Sequence, residues 1–286
     1  MGADWSGLAQ RDTSRREGTL SDQWPRSVAV VGAGYMGRGI AEVFAIAGQR
    51  TLISDVTAER ADSALATLIA ETERHAADGL VAPDAPDLVR ALVGAAPSTE
   101  AAAADADLVV EAVFEDRDTK VATLERIESA ARPATVIATN TSAISIGSLA
   151  SALRRPERFL GAHWFNPPQF VPGVELIGCE ATTQDVLDRV EEFLHAAGKE
   201  PCRVADSPGF VGNRLQYALF QEAAAIVEEG LASPEVVDRV VRSTFGFRLP
   251  FYGPFAIADM AGLDVYRGAY RVLHEAFPER FVPPRL

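Results

Sequence analysis

His163 lies near the end of an apolar stretch, residues 158–165, just before the stiff run Asn166-Pro167-Pro168, and Glu175 follows twelve residues later in the apolar segment 173–178. A hairpin joining these stretches sets the carboxylate against the imidazole. There it orients the ring tautomer and favours the protonated form, as general acid/base work requires. Position alone also suits a structural histidine and a polar residue on an edge strand, so both readings stay open. A second polar cluster, Asn140-Thr141-Ser142, follows the apolar run 134–139. At the carboxyl end of a parallel strand such groups face a ligand crevice; they are also good helix caps, and spacing favours capping. Glu111, Glu115, Asp116 and Lys120 cluster at the end of the apolar run 106–113, where a strand end and a solvated helix start account for them without a ligand.

Other chemistry resides in the backbone. An apolar strand from residue 27 runs into Gly32-Ala33-Gly34-Tyr35-Met36-Gly37, and a helix is expected over 37–47. Gly32 permits the tight turn, Gly34 lets backbone approach a pyrophosphate, and Gly37 lets the helix pack closely on the strand. The helix N-terminus supplies unpaired N–H groups and positive dipole, so the loop requires no basic side chain. A second strand, 49–54, ends at Asp55, placed to accept both ribose hydroxyls. That carboxylate favours NAD over NADP, because a 2′-phosphate would meet its charge. Arg60 could soften this preference, but its place inside the next helix reads as a solvated side chain.

Positioning these groups takes an α/β fold, a Rossmann-type doubly wound sheet, followed by an all-helical C-terminal domain. Ala61, Leu65, Leu68 and Ile69 give a helix over 57–79, capped by Asp55 or Thr57. A looser segment with Pro83 and Pro86 leads to a helical turn or two over 88–93. Helices are expected at 120–131 and 183–197, and a further strand at 200–204. Asp206-Ser207-Pro208-Gly209 reads as a hinge, giving domains 27–206 and 207–286 behind a disordered extension, 1–26. The second domain reads as helices over 211–229, from Pro234 with Ser233 as N-cap to about 245, and over about 255–277. Between the last two, residues 246–254 form an apolar segment suited to an acyl pocket or to loop packing.

The 286 residues carry 27 basic and 40 acidic side chains, a net charge of −13, which argues against nucleic acid or an anionic membrane as partner. Cys179 and Cys202 lack metal spacing, are too few for a disulfide framework and read as core cysteines, which fits a reducing cytoplasm. No metal site, bilayer span or signal-peptide core is expected.

Six blocks, VVGAGYMGRGIA, EAVFED with Lys120, TNTSAISI, GAHWFNPP with VELI, DSPGFVGNRL and GPFAIADMAGLD, resemble the 3-hydroxyacyl-CoA dehydrogenase family in content and order. The resemblance implies that His163 is the general acid/base, Glu175 its partner, and Ser142 and Asn213 the polar groups around the reacting oxygen. It implies that Glu115, Lys120 and Asn166 line the nicotinamide or a neighbouring pocket, beside Gly32, Gly34, Tyr35, Met36, Gly37 and Asp55. The implied reaction is oxidation of a 3-hydroxyacyl-CoA by NAD, and its reverse, by hydride transfer with proton movement through His163. An acyl-CoA or similar acyl thioester is then the substrate, in fatty acid metabolism, and a homodimer packed through the helical domain is expected. Alternatives are another 3-hydroxy substrate, such as a carrier-bound acyl group, a free hydroxy acid or carnitine, or a non-catalytic NAD-binding protein. The C-terminal block pattern ends sooner than in the family, and Arg74 and His75 stand where a CoA-contacting lysine is usual.

Overall fold

Continuous apolar runs bounded by turns form the strands, as expected where helices cover both faces of a sheet. A computed structural model describes residues 24–285. Eight strands, β1 (Ser27–Val31), β2 (Arg50–Ser54), β3 (Val93–Ala95), β4 (Leu108–Glu111), β5 (Val136–Thr139), β6 (Phe159–Trp164), β7 (Gly173–Gly178) and β8 (Glu200–Val204), lie in the order β3-β2-β1-β4-β5-β6-β7-β8. Neighbouring strands are parallel except β6 and β7. The first six strands reproduce the 3-2-1-4-5-6 order of a doubly wound dinucleotide-binding sheet.

Side-chain alternation splits the core in two. Val28 and Val30 of β1, Leu108 and Val110 of β4, and Leu160 and Ala162 of β6 pack with α1 (Tyr35–Ile46), α2 (Ala58–Ala77) and α7 (Gln184–Ala196). Ala29, Val31, Val109, Ile137 and Phe159 face α5 (Arg117–Ala130) and α6 (Ile146–Ala150). Phe44 of α1 anchors the first layer, 5.2 Å from Phe193 and 5.7 Å from Trp164 between ring centroids. Truncating a ring so placed to alanine costs about 3–5 kcal/mol.

Several local expectations are corrected. α1 begins at Tyr35, with Gly34 as N-cap, so Gly37 lies within its first turn instead of opening the helix. The helical turn expected over 88–93 is α3 (Ala85–Leu92), which begins three residues earlier; β3 and α4 (Thr99–Ala103), which follow it, had no counterpart in the expectation, and α4 is capped by Ser98 accepting from the Ala101 amide. Cys202 is exposed and Cys179 partly buried, so neither is a fully buried core cysteine. Cys202 sits on β8, the edge strand of the sheet, where only Pro201 is buried. Of the extension expected over 1–26, residues 1–23 lie outside the described residues. Trp24 stacks edge-on to Phe193, and the Arg26 amide donates to Asp107.

The chain divides into two compact units, 1–214 and 215–286. The division falls within α8 (Gly212–Glu228), and the second unit continues through α9 (Pro234–Ser243), α10 (Phe245–Arg248), α11 (Pro254–Ala261) and α12 (Leu263–Ala276). The single helix expected over 255–277 is two helices, because Gly262 at φ +93° breaks the ladder. Ser233 and Pro234 hold the N-cap and first-turn positions, though the serine hydroxyl donates to Glu235 in place of capping. Segment 246–254 holds most of α10 and the turn after it, so it is not a simple loop, and Phe247 and Phe251 are exposed. Among the described residues of this unit Ile257 is the sole buried hydrophobic residue, while Phe220, Phe247, Phe251 and Phe255 are exposed.

Candidate active site

The turn after β1 and the loop after β4 meet where the strand order reverses, the place at which open α/β sheets hold ligands. Gly32 has φ +98°, and a Cβ there would stand 2.5 Å from the Ala112 carbonyl oxygen. Gly37 is equally constrained, since its Cβ would lie 1.9 Å from the Gly32 carbonyl oxygen. At Gly34 a Cβ would meet nothing within 4 Å. The space in front of Gly34 is therefore open backbone, at a helix start with no capping side chain and no acidic residue in its first turn. Tyr35 is half-exposed beside it, and Met36 packs against the core. Asp55 follows β2, and its Oδ2 accepts from the Ala33 amide of the glycine turn at 3.1 Å. An open, N–H-rich cradle with a carboxylate at its rim fits a dinucleotide.

A buried charge cluster supports the next strand ends. Glu111, the last residue of β4, and Lys120 of α5 are both fully buried, and Lys120 Nζ lies 2.9 Å from Glu111 Oε1. Lys120 also donates to the Asn140 carbonyl at 3.2 Å and stands 3.4 Å from Glu115 Oε2. Burial pushes the Glu111 carboxyl up, against the pull of Lys120 and of hydrogen bonds from Thr139 and the Val113 amide. Glu115 Oε1 accepts from the Thr141 hydroxyl at 2.6 Å and from the Ser142 and Ala143 amides at 2.8 and 3.1 Å. Burial alone would raise Glu115, but these bonds and Lys120 hold it below the usual carboxylate range. The cluster thus fixes the loop that carries Ser142, whose residue is exposed.

His163 and Glu175 are cross-strand partners on β6 and β7, with Nδ1 2.8 Å from Oε2. Both are buried, and the imidazole lies between the rings of Phe165 and Phe210, with centroids at 4.6 and 5.5 Å. Glu175 Oε1 accepts from the amides of Val211 and Gly212 at 3.0 and 2.8 Å. Burial raises the carboxyl, yet the bonds from His163, Gly212 and Val211 outweigh it and hold Glu175 below its ordinary value. With Nδ1 committed to the carboxylate, Nε2 is the nitrogen left for proton exchange. Asn213 donates from Nδ2 to the Ser142 carbonyl at 2.9 Å, joining the start of α8 to the loop after β5. Asn166, three residues beyond His163, is exposed.

Three residues support the site in ways that the sequence reading did not assign to them. Asn140 Oδ1 accepts from the Trp164 amide at 3.0 Å, tying the ends of β5 and β6. Phe210, at φ 50° and fully buried, walls the imidazole. Asp206 accepts from Ser145 Oγ and the Gly147 amide, both at 2.8 Å, at the start of α6. Glu111 and Lys120, expected as a strand end and a solvated helix start, are instead a buried pair, which no local spacing signals. Among the described residues no group of His, Cys, Asp or Glu is arranged to hold a metal ion.

Fold, glycine turn and rim carboxylate together define a dinucleotide-dependent dehydrogenase architecture. Residues 27–207 match the family model for the 3-hydroxyacyl-CoA dehydrogenase NAD binding domain, and residues 209–286 the model for its C-terminal domain. The chain belongs to the 3-hydroxyacyl-CoA dehydrogenase family, oxidoreductases acting on CH–OH groups, with NAD as cofactor. It is 35% identical over 261 residues to 3-hydroxyadipyl-CoA dehydrogenase of Escherichia coli (strain K12), covering 90% of this chain and 54% of that protein, about half its length. It is 36% identical over 262 residues to 5-formyl-3-hydroxy-2-methylpyridine 4-carboxylate 5-dehydrogenase of Mesorhizobium japonicum, covering 89% of this chain and 82% of that one. The crystal structure of (S)-3-hydroxybutyryl-CoA dehydrogenase from Ralstonia eutropha superposes with a TM-score of 0.72 at 35% identity, covering 90% of each chain.

Proposed function

We propose that this chain oxidises a 3-hydroxyacyl thioester to the 3-ketoacyl thioester, and reduces it in reverse, with His163 and Glu175 as its acid/base pair. The observation that carries the reading is the 2.8 Å contact between His163 Nδ1 and a carboxylate whose other oxygen is already satisfied by two amides. Glu175 keeps the proton on Nδ1 and balances the charge when Nε2 takes the proton of the substrate hydroxyl. Bound NAD supplies the acceptor for the hydride that leaves C3. Ser142 and Asn213 are assigned to the reacting oxygen; the Asn213 bond to the Ser142 carbonyl sets the amide's orientation and leaves the serine hydroxyl to donate. Glu115, Asn166 and Lys120 are assigned to the cofactor side, with the fully buried Lys120 acting through Glu115. In this reading the NAD-binding domain is 27–206, the helical domain 207–286.

Further assignments go with this reading. The exposed Phe220, Phe247, Phe251 and Phe255 favour a homodimer packed through the helical domain. No helix of the described residues is long and apolar enough to cross a membrane, in keeping with a cytoplasmic enzyme of fatty acid metabolism. A second reading, oxidation of a 3-hydroxy compound not carried by CoA, draws on the Mesorhizobium relative, whose name gives a substrate without CoA. Following NADH absorbance with acetoacetyl-CoA and with free acetoacetate separates the two. Thioester-dependent oxidation supports the first; turnover of the free acid alone supports the second.

A further inference from the structure

The rim carboxylate of the cofactor cradle has a cationic neighbour. Asp55 Oδ1 accepts from the Val56 amide at 2.8 Å and lies 3.1 Å from Arg60 Nε, while Oδ2 is committed to the Ala33 amide. Asp55 is mostly covered, at 14% side-chain exposure, whereas Arg60 is 69% exposed, so its guanidinium faces solvent on the far side from the carboxylate. Arg60 is the third residue of α2, where the positive end of the helix dipole disfavours a cation. Its pairing with Asp55 offsets that, and the first-turn acid of the helix, Glu59, is held by Thr57 and its own backbone instead.

Two consequences follow for a nucleotide seated on Gly34 with its adenosine ribose at Asp55. Discrimination against a 2′-phosphate relies on an unscreened carboxylate, and here a guanidinium already stands against it. Arginine is also the side chain best shaped to take a phosphate, through paired N–H donors. We propose that Arg60 is a specificity-determining residue that lets this NAD site accept NADPH as a second, weaker cofactor. In that state the guanidinium leaves Asp55 and binds the 2′-phosphate. The inference rests on the assignment of Asp55 to the ribose, and on nothing about the thioester substrate.

Direct binding tests it without turnover. NADH and NADPH are titrated separately into the full chain, reading nicotinamide fluorescence, for the wild type, Arg60→Ala and Asp55→Asn. Wild type should bind both, with NADPH weaker by no more than about a hundredfold, the size of one charge-assisted contact. Arg60→Ala should raise the NADPH-to-NADH dissociation-constant ratio by about tenfold or more, with NADH affinity kept or improved because the carboxylate loses a competitor. Asp55→Asn should move the ratio the other way. A ratio unchanged in Arg60→Ala, or no NADPH binding to a wild type that binds NADH, overturns the proposal. Failure to bind either nucleotide overturns the cofactor assignment beneath it.

Discussion

His163 and Glu175 face each other across β6 and β7, the one antiparallel pairing among the described strands, so register alone sets their side chains on the same face. The carboxylate is shared between imidazole and two backbone amides, which fixes its orientation before any ligand arrives. His163→Ala should lower kcat/KM for acetoacetyl-CoA by about 10²- to 10⁴-fold while NADH affinity stays within a factor of about two. Steady-state rates and fluorescence titration read the two quantities separately. Equal loss of both would mean that the histidine holds the fold and not a proton.

Glu175→Gln should be nearly as damaging to the oxidation direction. The amide oxygen can keep the Val211 and Gly212 bonds, so its NH₂ is turned toward Nδ1 and forces the ring proton onto Nε2. A hydroxyl proton then has no acceptor, and oxidation of 3-hydroxybutyryl-CoA should fall by about 10²-fold or more, with NADH affinity kept. Full activity in this variant would remove the acid/base pair from the reading.

The same carboxylate gives a pH signature. Its folded-state pKa lies below the ordinary value, so the stabilisation is complete above the unfolded carboxyl's value near ~4.3 and is lost as pH falls through the folded value. The difference in unfolding free energy between wild type and Glu175→Gln should therefore be flat above about pH 5 and close below about pH 4. Urea unfolding across that range measures it, and a difference that widens toward acid would contradict the assigned direction.

Lys120→Met should destabilise by about 3–5 kcal/mol, because it leaves Glu111 buried without its cation. Adding Glu111→Gln should recover part of the loss, since the pair and not the lysine alone is what the interior tolerates. Denaturant midpoints of the two variants decide this; a double variant less stable than the single one would argue that Glu111 is already neutral.

Gly34→Ala and Gly37→Ala should separate binding from folding. A methyl group at Gly34 meets no protein atom within 4 Å, so stability should hold while NADH affinity drops by about tenfold or more. At Gly37 the methyl would strike the Gly32 carbonyl, and a loss of about 1–3 kcal/mol in stability is expected. Calorimetry with and without NADH distinguishes the two outcomes.

The sequence was legible wherever a pattern has one physical cause. The apolar runs ending at Val31, Thr139 and Trp164 are strands because two covered faces leave no other place for them, and the spacing of His163 and Glu175 suits the hairpin found. It was silent where the cause is tertiary. β3 spans only Val93-Gly94-Ala95, too few residues for a period, and is a strand because β2 offers it an edge. Glu111 and Lys120 looked like solvated charges since nothing local reports that α5 turns Lys120 inward onto the end of β4. Gly262 falls inside the single helix expected over 255–277, and its positive φ is what turns it into a break.

The chain's two lysines, Lys120 and Lys199, are both buried, the second donating to the Pro168 and Val171 carbonyls at 2.6 and 3.0 Å. All other basic side chains apart from the histidines are arginines, so the folded surface offers amine-directed reagents no accessible side-chain target. Acylation of Lys120 or Lys199, followed by mass spectrometry, becomes a clock for local opening. Lys120 would report the escape of α5 from the end of β4, Lys199 the release of the 167–171 loop, each timed without an added probe.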